Sequence, residues 1–384
     1  MKKQPIMRRI ILLTILFCAN CYIGKAQTAQ SLFDEGKELK KSGKCSEAIG
    51  KFNQSLSLDP ALTDALYEKG WCQVELKQYD QALKTLRDVR NVWPNVARVH
   101  FELGYVFEKT GYTDSAVKSY EACLQINPSY SLVYKQYGNM AYDKQDYKTA
   151  LRQFLKYIEI TKTEIKDYAF WYRKGYTENN TEDFAAAKQS LMRSLYLKPD
   201  YAKTYLELGY TNDKLNLYDS AIFYFQKAVN LEPNNHVGYN GIAAVYRDRY
   251  KNIPTAMEWY QKTLQLKPTE RKANFGMGYC LNTQSKFSDA ISYLKQAIAS
   301  EPNYSAAYTE IGYSYYKTNQ DELAEQHLKK AIEMNPSGVS QHYYAALLYL
   351  RKKDKQKALN MADALQRMGS RYATEIRERA NQLP

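Results

Sequence analysis

Small, aromatic and apolar residues recur along this chain at helical spacing. In the segment "YLELGYTNDKLNLYDSAIFYFQKAVNLEPN" (205–234), Tyr205, Leu208 and Asn212 lie on one face at steps of three and four residues. The second half repeats this spacing with Ala221, Phe225 and Ala228. The pattern predicts two amphipathic helices joined by a turn in the polar stretch "NDKLNLYD" (212–219).

The same pattern returns with a period of 34 residues along most of the chain. A glycine marks the first predicted helix at Gly36, Gly70, Gly104, Gly138, Gly175, Gly209, Gly278 and Gly312. An alanine follows twelve residues later at Ala48, Ala82, Ala116, Ala150, Ala187, Ala221, Ala290 and Ala324. Two further repeats carry alanine at the glycine position, Ala243 and Ala346. The pattern therefore predicts ten helix pairs.

The spacing that recurs in each repeat can be explained by helix packing. Gly209 and Ala221 are small because the two helices should cross there, and Phe225 should fill the adjoining gap. Pro233 lacks an N–H group and should end the second helix. One helix pair cannot bury its own apolar face, so neighbouring pairs should stack into a solenoid.

In these residues and in its period, the chain resembles the tetratricopeptide repeat family from about Ala29 to Tyr372. The resemblance implies an all-α, right-handed α-solenoid (superhelix) of about ten repeats, whose first helices line a concave groove that binds peptides or protein surfaces. After the last repeat, an apolar stripe at Tyr372, Ile376 and Ala380 suggests a capping helix that ends within residues 373–384.

Two departures interrupt the period. Three residues are inserted around "TKTEIKD" (161–167), where the closing proline is also absent, and the seventh repeat is one residue longer with Pro254 expected in its turn. We expect repeats 1–4 to occupy residues 27–164 and repeats 5–10 residues 168–372, with a bend between them.

Residues 1–26 have the pattern of a signal peptide. Four basic residues precede an apolar run over residues 10–23, and small residues at Gly24 and Ala26 precede Gln27. A membrane anchor is the alternative, but the run is shorter than the roughly 20 residues a spanning helix needs. A lipoprotein is another, although Cys18 and Cys21 follow residues larger than a lipidation site prefers. We expect an exported protein, periplasmic or secreted, that begins at Gln27.

Export changes how charge and cysteine content are interpreted. Without its first 26 residues the chain carries a net charge of +8 instead of +13, and residues 351–384 contribute +5 of it. This basic segment is either a solvated face or a peripheral contact for an anionic envelope surface, and nucleic acid is not an expected partner. Cys45, Cys72, Cys123 and Cys280 remain, as buried free thiols or with one disulfide.

The sequence offers little for catalysis. The four histidines are isolated from one another, and no phosphate loop, nucleophile elbow or paired metal-ligand spacing is present. His100 and His342 occupy a repeat position otherwise held by aromatic residues, so we expect them to pack. We predict a protein that is not an enzyme and that needs no cofactor or metal.

The family resemblance places the fifth and ninth residues of each repeat, counted with the glycine as the eighth, on the groove. About a third of them should pack between repeats, and aromatic residues dominate the remainder. With two nearby cations, the predicted partner-binding residues are Tyr67, Trp71, Phe101, Tyr105, Lys135, Asn139, Tyr172, Arg173, Tyr176, Lys203, Tyr210, Phe275, Tyr279 and Tyr313.

Three of these residues relate to the family's carboxylate clamp. Lys135, Asn139 and Lys203 match clamp positions, whereas Arg173 replaces an asparagine and Glu207 a basic residue. The resemblance therefore gives only part of a clamp.

Two hypotheses for function follow. The first is a scaffold or adaptor that holds proteins or peptides, such as envelope proteins, in an aromatic groove. The second is a structural assembly factor of the envelope that acts through self-association or its basic C-terminal surface. An enzyme is a third and less favoured class. The sequence leaves the oligomeric state open.

Overall fold

The computed structural model describes residues 28–384, which form 21 α-helices and no strand. The predicted signal peptide lies outside the described residues. In chain order the helices are α1 (Ala29–Lys41), α2 (Cys45–Leu58), α3 (Thr63–Glu75), α4 (Tyr79–Val92), α5 (Ala97–Lys109), α6 (Thr113–Ile126), α7 (Ser131–Asp143), α8 (Tyr147–Ile160), α9 (Tyr168–Asn180), α10 (Phe184–Leu197), α11 (Ala202–Lys214), α12 (Tyr218–Leu231), α13 (His236–Asp248), α14 (Ile253–Leu266), α15 (Arg271–Thr283), α16 (Phe287–Ser300), α17 (Ser305–Lys317), α18 (Asp321–Met334), α19 (Val339–Arg351), α20 (Lys355–Arg367) and α21 (Tyr372–Asn381).

Consecutive helices pack in pairs, an odd-numbered first helix with the even-numbered second helix that follows it. These pairs stack within two compact bodies. The N-terminal body ends at Ile165 and holds repeats 1–4, and the C-terminal body spans Lys166–Pro384 and holds repeats 5–10 and α21. The predicted all-α solenoid of ten helix pairs is confirmed.

The glycines lie where the two helices of a repeat approach most closely. A Cβ atom added at Gly209 would come within 2.6 Å of the Phe225 ring, and one at Gly104 within 2.5 Å of Tyr120. Ala221 is fully buried beside the same crossing. The packing roles predicted for these small residues are therefore confirmed.

The turn inside repeat 6 is shorter than the sequence suggested. Helix α11 continues to Lys214 and α12 begins at Tyr218, so residues 215–217 alone connect them. Asn212 is buried within α11, and its Nδ2 donates to the Leu208 carbonyl at 2.7 Å. Asn216 makes the reversal with φ of 60°. The corresponding turn residues of the other repeats share a positive φ: Gly43, Lys77, Gly111, Gln145, Glu182, Lys251, Ser285, Asn319 and Lys353.

The prediction that Pro254 lies in the turn of repeat 7 is wrong. Pro254 lies in the first turn of α14, where a helix has no internal partner for the N–H group that proline lacks. The Asn252 side chain caps this helix by accepting from the backbone N–H of Thr255 at 3.2 Å. The extra residue of repeat 7 is therefore absorbed before the helix starts.

Cys45, Cys72, Cys123 and Cys280 are all buried with free thiols. Burial raises the pKa of the Cys280 thiol to about 11 and that of Cys123 to about 12. Residues 28–384 contain no helix of the length and apolarity that crossing a membrane requires.

Candidate protein-binding face

The first helices of successive repeats form one continuous layer within each body. Helix α3 contacts α1 and α5, and the same relation links α9 to α11 and continues through α19 and α21. Second helices of successive repeats lack such contacts among residues 28–384. Because the first helices are the closer layer, they form the inner side of each stack. We call this surface the first-helix face.

Two of the predicted partner-binding residues in the N-terminal body are part of its core. Tyr67 is 6% exposed and lies 6.4 Å from Trp93 between ring centroids. Phe101 is 9% exposed and lies 5.2 Å from Tyr130. Their burial limits direct contact with a partner, so their main contribution is to packing.

Trp71 and Tyr105 are half-buried and offer more surface. Lys40 Nζ lies 3.8 Å from the centroid of the Trp71 ring, and Lys109 Nζ lies 4.9 Å from that of Tyr105. Each ring therefore already carries a cation from its own chain.

The residues related to the carboxylate clamp are divided between the two bodies. Lys135 and Asn139 are half-buried on α7 of the N-terminal body. Asn139 Nδ2 donates to Gln136 Oε1 at 3.3 Å, and its Oδ1 is buried without a partner. Arg173 on α9 is half-buried and Lys203 on α11 is exposed, both in the C-terminal body.

The aromatic residues of repeats 5 and 6 retain accessible surface. The rings of Tyr172 and Tyr176 lie 6.3 Å apart and are half-buried. Tyr210 is 40% exposed and meets the edge of Phe184 at 6.3 Å.

Farther along the C-terminal body the rings lie closer together. Phe275 is 5.0 Å from Tyr304 and 6.4 Å from Tyr279, and Tyr313 stacks on Tyr344 at 4.3 Å. We call Tyr210 and these five residues the aromatic row. It contains four predicted residues, Tyr210, Phe275, Tyr279 and Tyr313, and two that sequence reasoning missed, Tyr304 and Tyr344.

Arg247 is a further residue that the sequence analysis missed. Its guanidinium carbon lies 5.6 Å from the ring centroids of both Phe275 and Tyr279. Its Nε donates to Asp248 Oδ1 at 2.7 Å. The arginine therefore fixes one side of these rings and is itself held in place by a carboxylate.

Half-buried glutamates at the sixth repeat position connect neighbouring repeats in the C-terminal body. Asn179 Nδ2 donates to Glu207 Oε2 at 3.1 Å, and Thr211 Oγ1 donates to Asn179 Oδ1 at 2.9 Å. The same arrangement recurs three repeats later: Asn282 Nδ2 donates to Glu310 Oε2 at 2.9 Å, and Ser314 Oγ donates to Asn282 Oδ1 at 2.7 Å. We call each such contact, between the twelfth residue of one repeat and the sixth of the next, a rung.

Rungs differ in the N-terminal body. Lys40 pairs with Glu68 in repeat 2, but Val74 and Val106 occupy the asparagine and hydroxyl positions around Glu102 in repeat 3. Burial raises the pKa of Glu102 to about 7, with further contributions from the charges of Glu75 and Glu68. Burial likewise raises the pKa of Glu207 to about 7, against the opposing hydrogen bond from Asn179. The sequence signal for these sites is a glutamate at the sixth position of a repeat.

Among residues 28–384, no three His, Cys, Asp or Glu side chains are grouped in a way that could hold a metal ion. His100 Nε2 lies 2.7 Å from the Pro94 carbonyl oxygen, and His342 Nδ1 lies 2.7 Å from that of Gly338. Both histidines thus have backbone partners.

Family models and known proteins agree with this architecture. Two models described as "Tetratricopeptide repeat" match the chain, one over residues 39–100 and 281–348, the other over residues 97–130, 168–201 and 202–235. The BBSome complex member BBS4 of Bos taurus is 22% identical over 307 residues, which is 72% of this chain and 59% of that protein.

One further curated protein and one solved structure are similar to this chain. The human protein O-mannosyl-transferase TMTC3 is 22% identical over 294 residues, 76% of this chain and 30% of its own length. This chain thus spans only part of either curated relative. The solved structure of the APC/C hetero-tetramer Cut9-Hcn1 has a TM-score of 0.51 at 14% identity and covers 97% of this chain and 95% of that one. At that identity the likeness concerns the fold alone.

Proposed function

The chain belongs to the tetratricopeptide repeat family, and we propose that it is a non-catalytic adaptor of the cell envelope that binds partner proteins or peptides on its first-helix face. Tetratricopeptide repeats generally mediate protein–protein interactions, and the fold is typically a non-catalytic scaffold. The envelope location in this proposal depends on the signal-peptide pattern of residues 1–26.

The observation that carries the proposal is the aromatic row in the C-terminal body. Tyr210 and Tyr279 are 40% and 37% exposed, and both project from first helices. Tyrosine gives a large, rigid contact surface with a hydroxyl group and loses little entropy on binding. Interface energy concentrates in such aromatic anchors, often with arginine nearby, and Arg247 lies beside Tyr279.

The basic segment 351–384 supports the alternative hypothesis less well. Arg351 pairs with Asp321, Lys352 and Lys357 pair with Glu325, and Arg377 and Arg379 pair with acids of their own segment. Lysines beside Glu325 lower the pKa of its carboxyl to about 2. These carboxylates reduce the positive charge that the segment presents to an anionic surface.

A photo-crosslinking amino acid tests the proposal in cells that produce the full chain. Placed at Tyr210 or Tyr279, it should give discrete crosslinked partners in the envelope fraction, on a protein whose N-terminus is Gln27. Changing both tyrosines to alanine should weaken binding of an identified partner by tenfold or more, since one aromatic anchor contributes on the order of 2 kcal/mol.

Tyr196 and Phe223 provide the matched control. They are 74% and 52% exposed and lie on second helices, so the same changes there should leave partner binding within twofold. Equal crosslinking from both pairs of positions would refute the first-helix face as the binding surface. An intact Met1 would refute the envelope location.

A further inference from the structure

Glu102, on the first-helix face, is a largely buried residue whose carboxylate has no hydrogen-bond or ion-pair partner and keeps some accessible surface. It is 8% exposed, and no hydrogen bond or ion pair joins its side chain to another residue in the described part of the chain. The residues that would supply donors in the C-terminal body are here Val74 and Val106, which are 5% and 0% exposed. Removing a carboxylate from water costs free energy unless a hydrogen-bond donor or a cation pairs with it.

The surroundings of Glu102 are acidic and aromatic. Glu68 and Glu75 on α3 both act on its carboxyl, and Lys40 opposes them. Lys40 already forms an ion pair with Glu68, and its Nζ lies over the Trp71 ring. Tyr105 lies one helical turn from Glu102 on α5, and Trp71 lies in the same relation to Glu68. The site therefore combines excess negative charge with two aromatic rings, each of which already lies against a lysine of this chain, Lys40 or Lys109.

We propose that the first-helix face of the N-terminal body binds a cationic side chain, arginine or lysine, of a partner protein, with Glu102 as its counter-ion. This inference rests on the proposed binding function and names the chemistry of one partner segment. A guanidinium or ammonium group would supply the donors that asparagine supplies to Glu207 and Glu310. A neutral or acidic segment would leave Glu102 buried and unpaired.

Ligand-observed NMR with the full chain can test this inference without knowledge of the natural partner. The probes are N-acetyl-arginine amide and its neutral isostere N-acetyl-citrulline amide. The wild-type protein should bind the arginine probe at least tenfold more tightly than the citrulline probe. Glu102→Gln should remove this preference, and the matched change Glu207→Gln, at the same position in repeat 6, should leave it within twofold.

Two further measurements separate binding from a structural role. Val74→Asn supplies an internal donor and should weaken arginine binding even if Glu102→Gln proves too unstable to measure. Arginine binding should strengthen from pH 6 to pH 8 as Glu102 ionises. The other groups near its carboxyl are Glu68, Glu75, Lys40, Tyr67, Tyr120 and Tyr130. Burial holds the pKa of these three tyrosines above 10, so they remain neutral over that range.

Equal affinity for arginine and citrulline, no measurable arginine binding, or an equal loss in Glu207→Gln would overturn the inference. Those outcomes would leave the crosslinking test at Tyr210 and Tyr279 unaffected, because both tyrosines lie in the C-terminal body. Conversely, failure of that test with arginine binding intact would limit the binding function to the N-terminal body.

Discussion

Glu102 in the N-terminal body and Glu310 in the C-terminal body occupy the same repeat position in different surroundings. Glu310 accepts from an asparagine of the preceding repeat, and that asparagine is held by Ser314. In the repeats around Glu102, Val74 and Val106 occupy the positions of this asparagine and serine. The comparison teaches that one framework can make either a closed contact between repeats or an open, acidic site. The difference needs only two substitutions outside the glycine, alanine and proline positions.

The largest expected effect is a loss of stability that stays within the C-terminal body. Gly209→Leu would drive its side chain into the Phe225 ring, so we expect a loss of about 3 kcal/mol in local stability. Hydrogen exchange along the chain should show loss of protection that is greatest in repeats 5–7 and small before Ile165. The control is Gly50→Leu, where an added Cβ would have no neighbour within 4 Å. Uniform loss of protection would contradict a repeat-by-repeat account.

The framework could be predicted from sequence because its determinants are local. Gly209, Ala221 and Phe225 lie within one repeat, so their spacing alone reports that two helices cross. The rungs could not be predicted in the same way, since Asn282 and Glu310 are 28 residues apart and become neighbours only after stacking. The burial of Phe101 also depends on Tyr130, which lies 29 residues away and outside the helix pair of repeat 3.

A second prediction concerns the pH dependence that an unpaired carboxylate imposes. The pKa of Glu102 is about 7 in the folded chain against 4.5 for an unperturbed carboxyl. Between about pH 4.5 and pH 7 the Glu102 carboxyl is ionised in the unfolded chain but protonated in the folded chain, so the free energy of unfolding should fall as pH rises. Below about pH 4.5 the carboxyl is protonated in both states, and this loss of stability disappears. Glu102→Gln should therefore stabilise the N-terminal body by about 2 kcal/mol at pH 8 and have little pH-dependent effect at pH 4.

Urea unfolding at both pH values, with hydrogen exchange to locate the change, would measure this difference. Glu47→Gln replaces an exposed carboxylate of the same body and should change stability by less than about 0.5 kcal/mol. An equal gain from Glu102→Gln at pH 4 and pH 8 would show that burial of charge is not its cause.

The smallest effect is expected from removing the donor of one rung in the C-terminal body, which leaves its glutamate unpaired, as Glu102 is in the N-terminal body. Asn282→Ala removes the donor to Glu310, and we expect a loss of about 1 kcal/mol with a further rise in the pKa of Glu310. In a Glu310→Gln background the same change should cost less, because no carboxylate is then left unpaired. A double-mutant cycle followed by hydrogen exchange over α15–α17 measures the coupling, and strict additivity would contradict it.

The rungs also bear on how such a chain can gain, lose or exchange repeats during evolution. Each rung joins residues on opposite sides of a repeat boundary, as with Asn179 and Glu207 or Lys40 and Glu68. A tandem gene duplication that copies one 34-residue segment from proline to proline therefore creates one new boundary, at which the donor and acceptor come from the same repeat and need not match. Recombination within the first helices, between the sixth and twelfth repeat positions, would keep each pair intact. Grafting experiments that exchange repeats should accordingly place their junctions there, so that both members of a rung are inherited together.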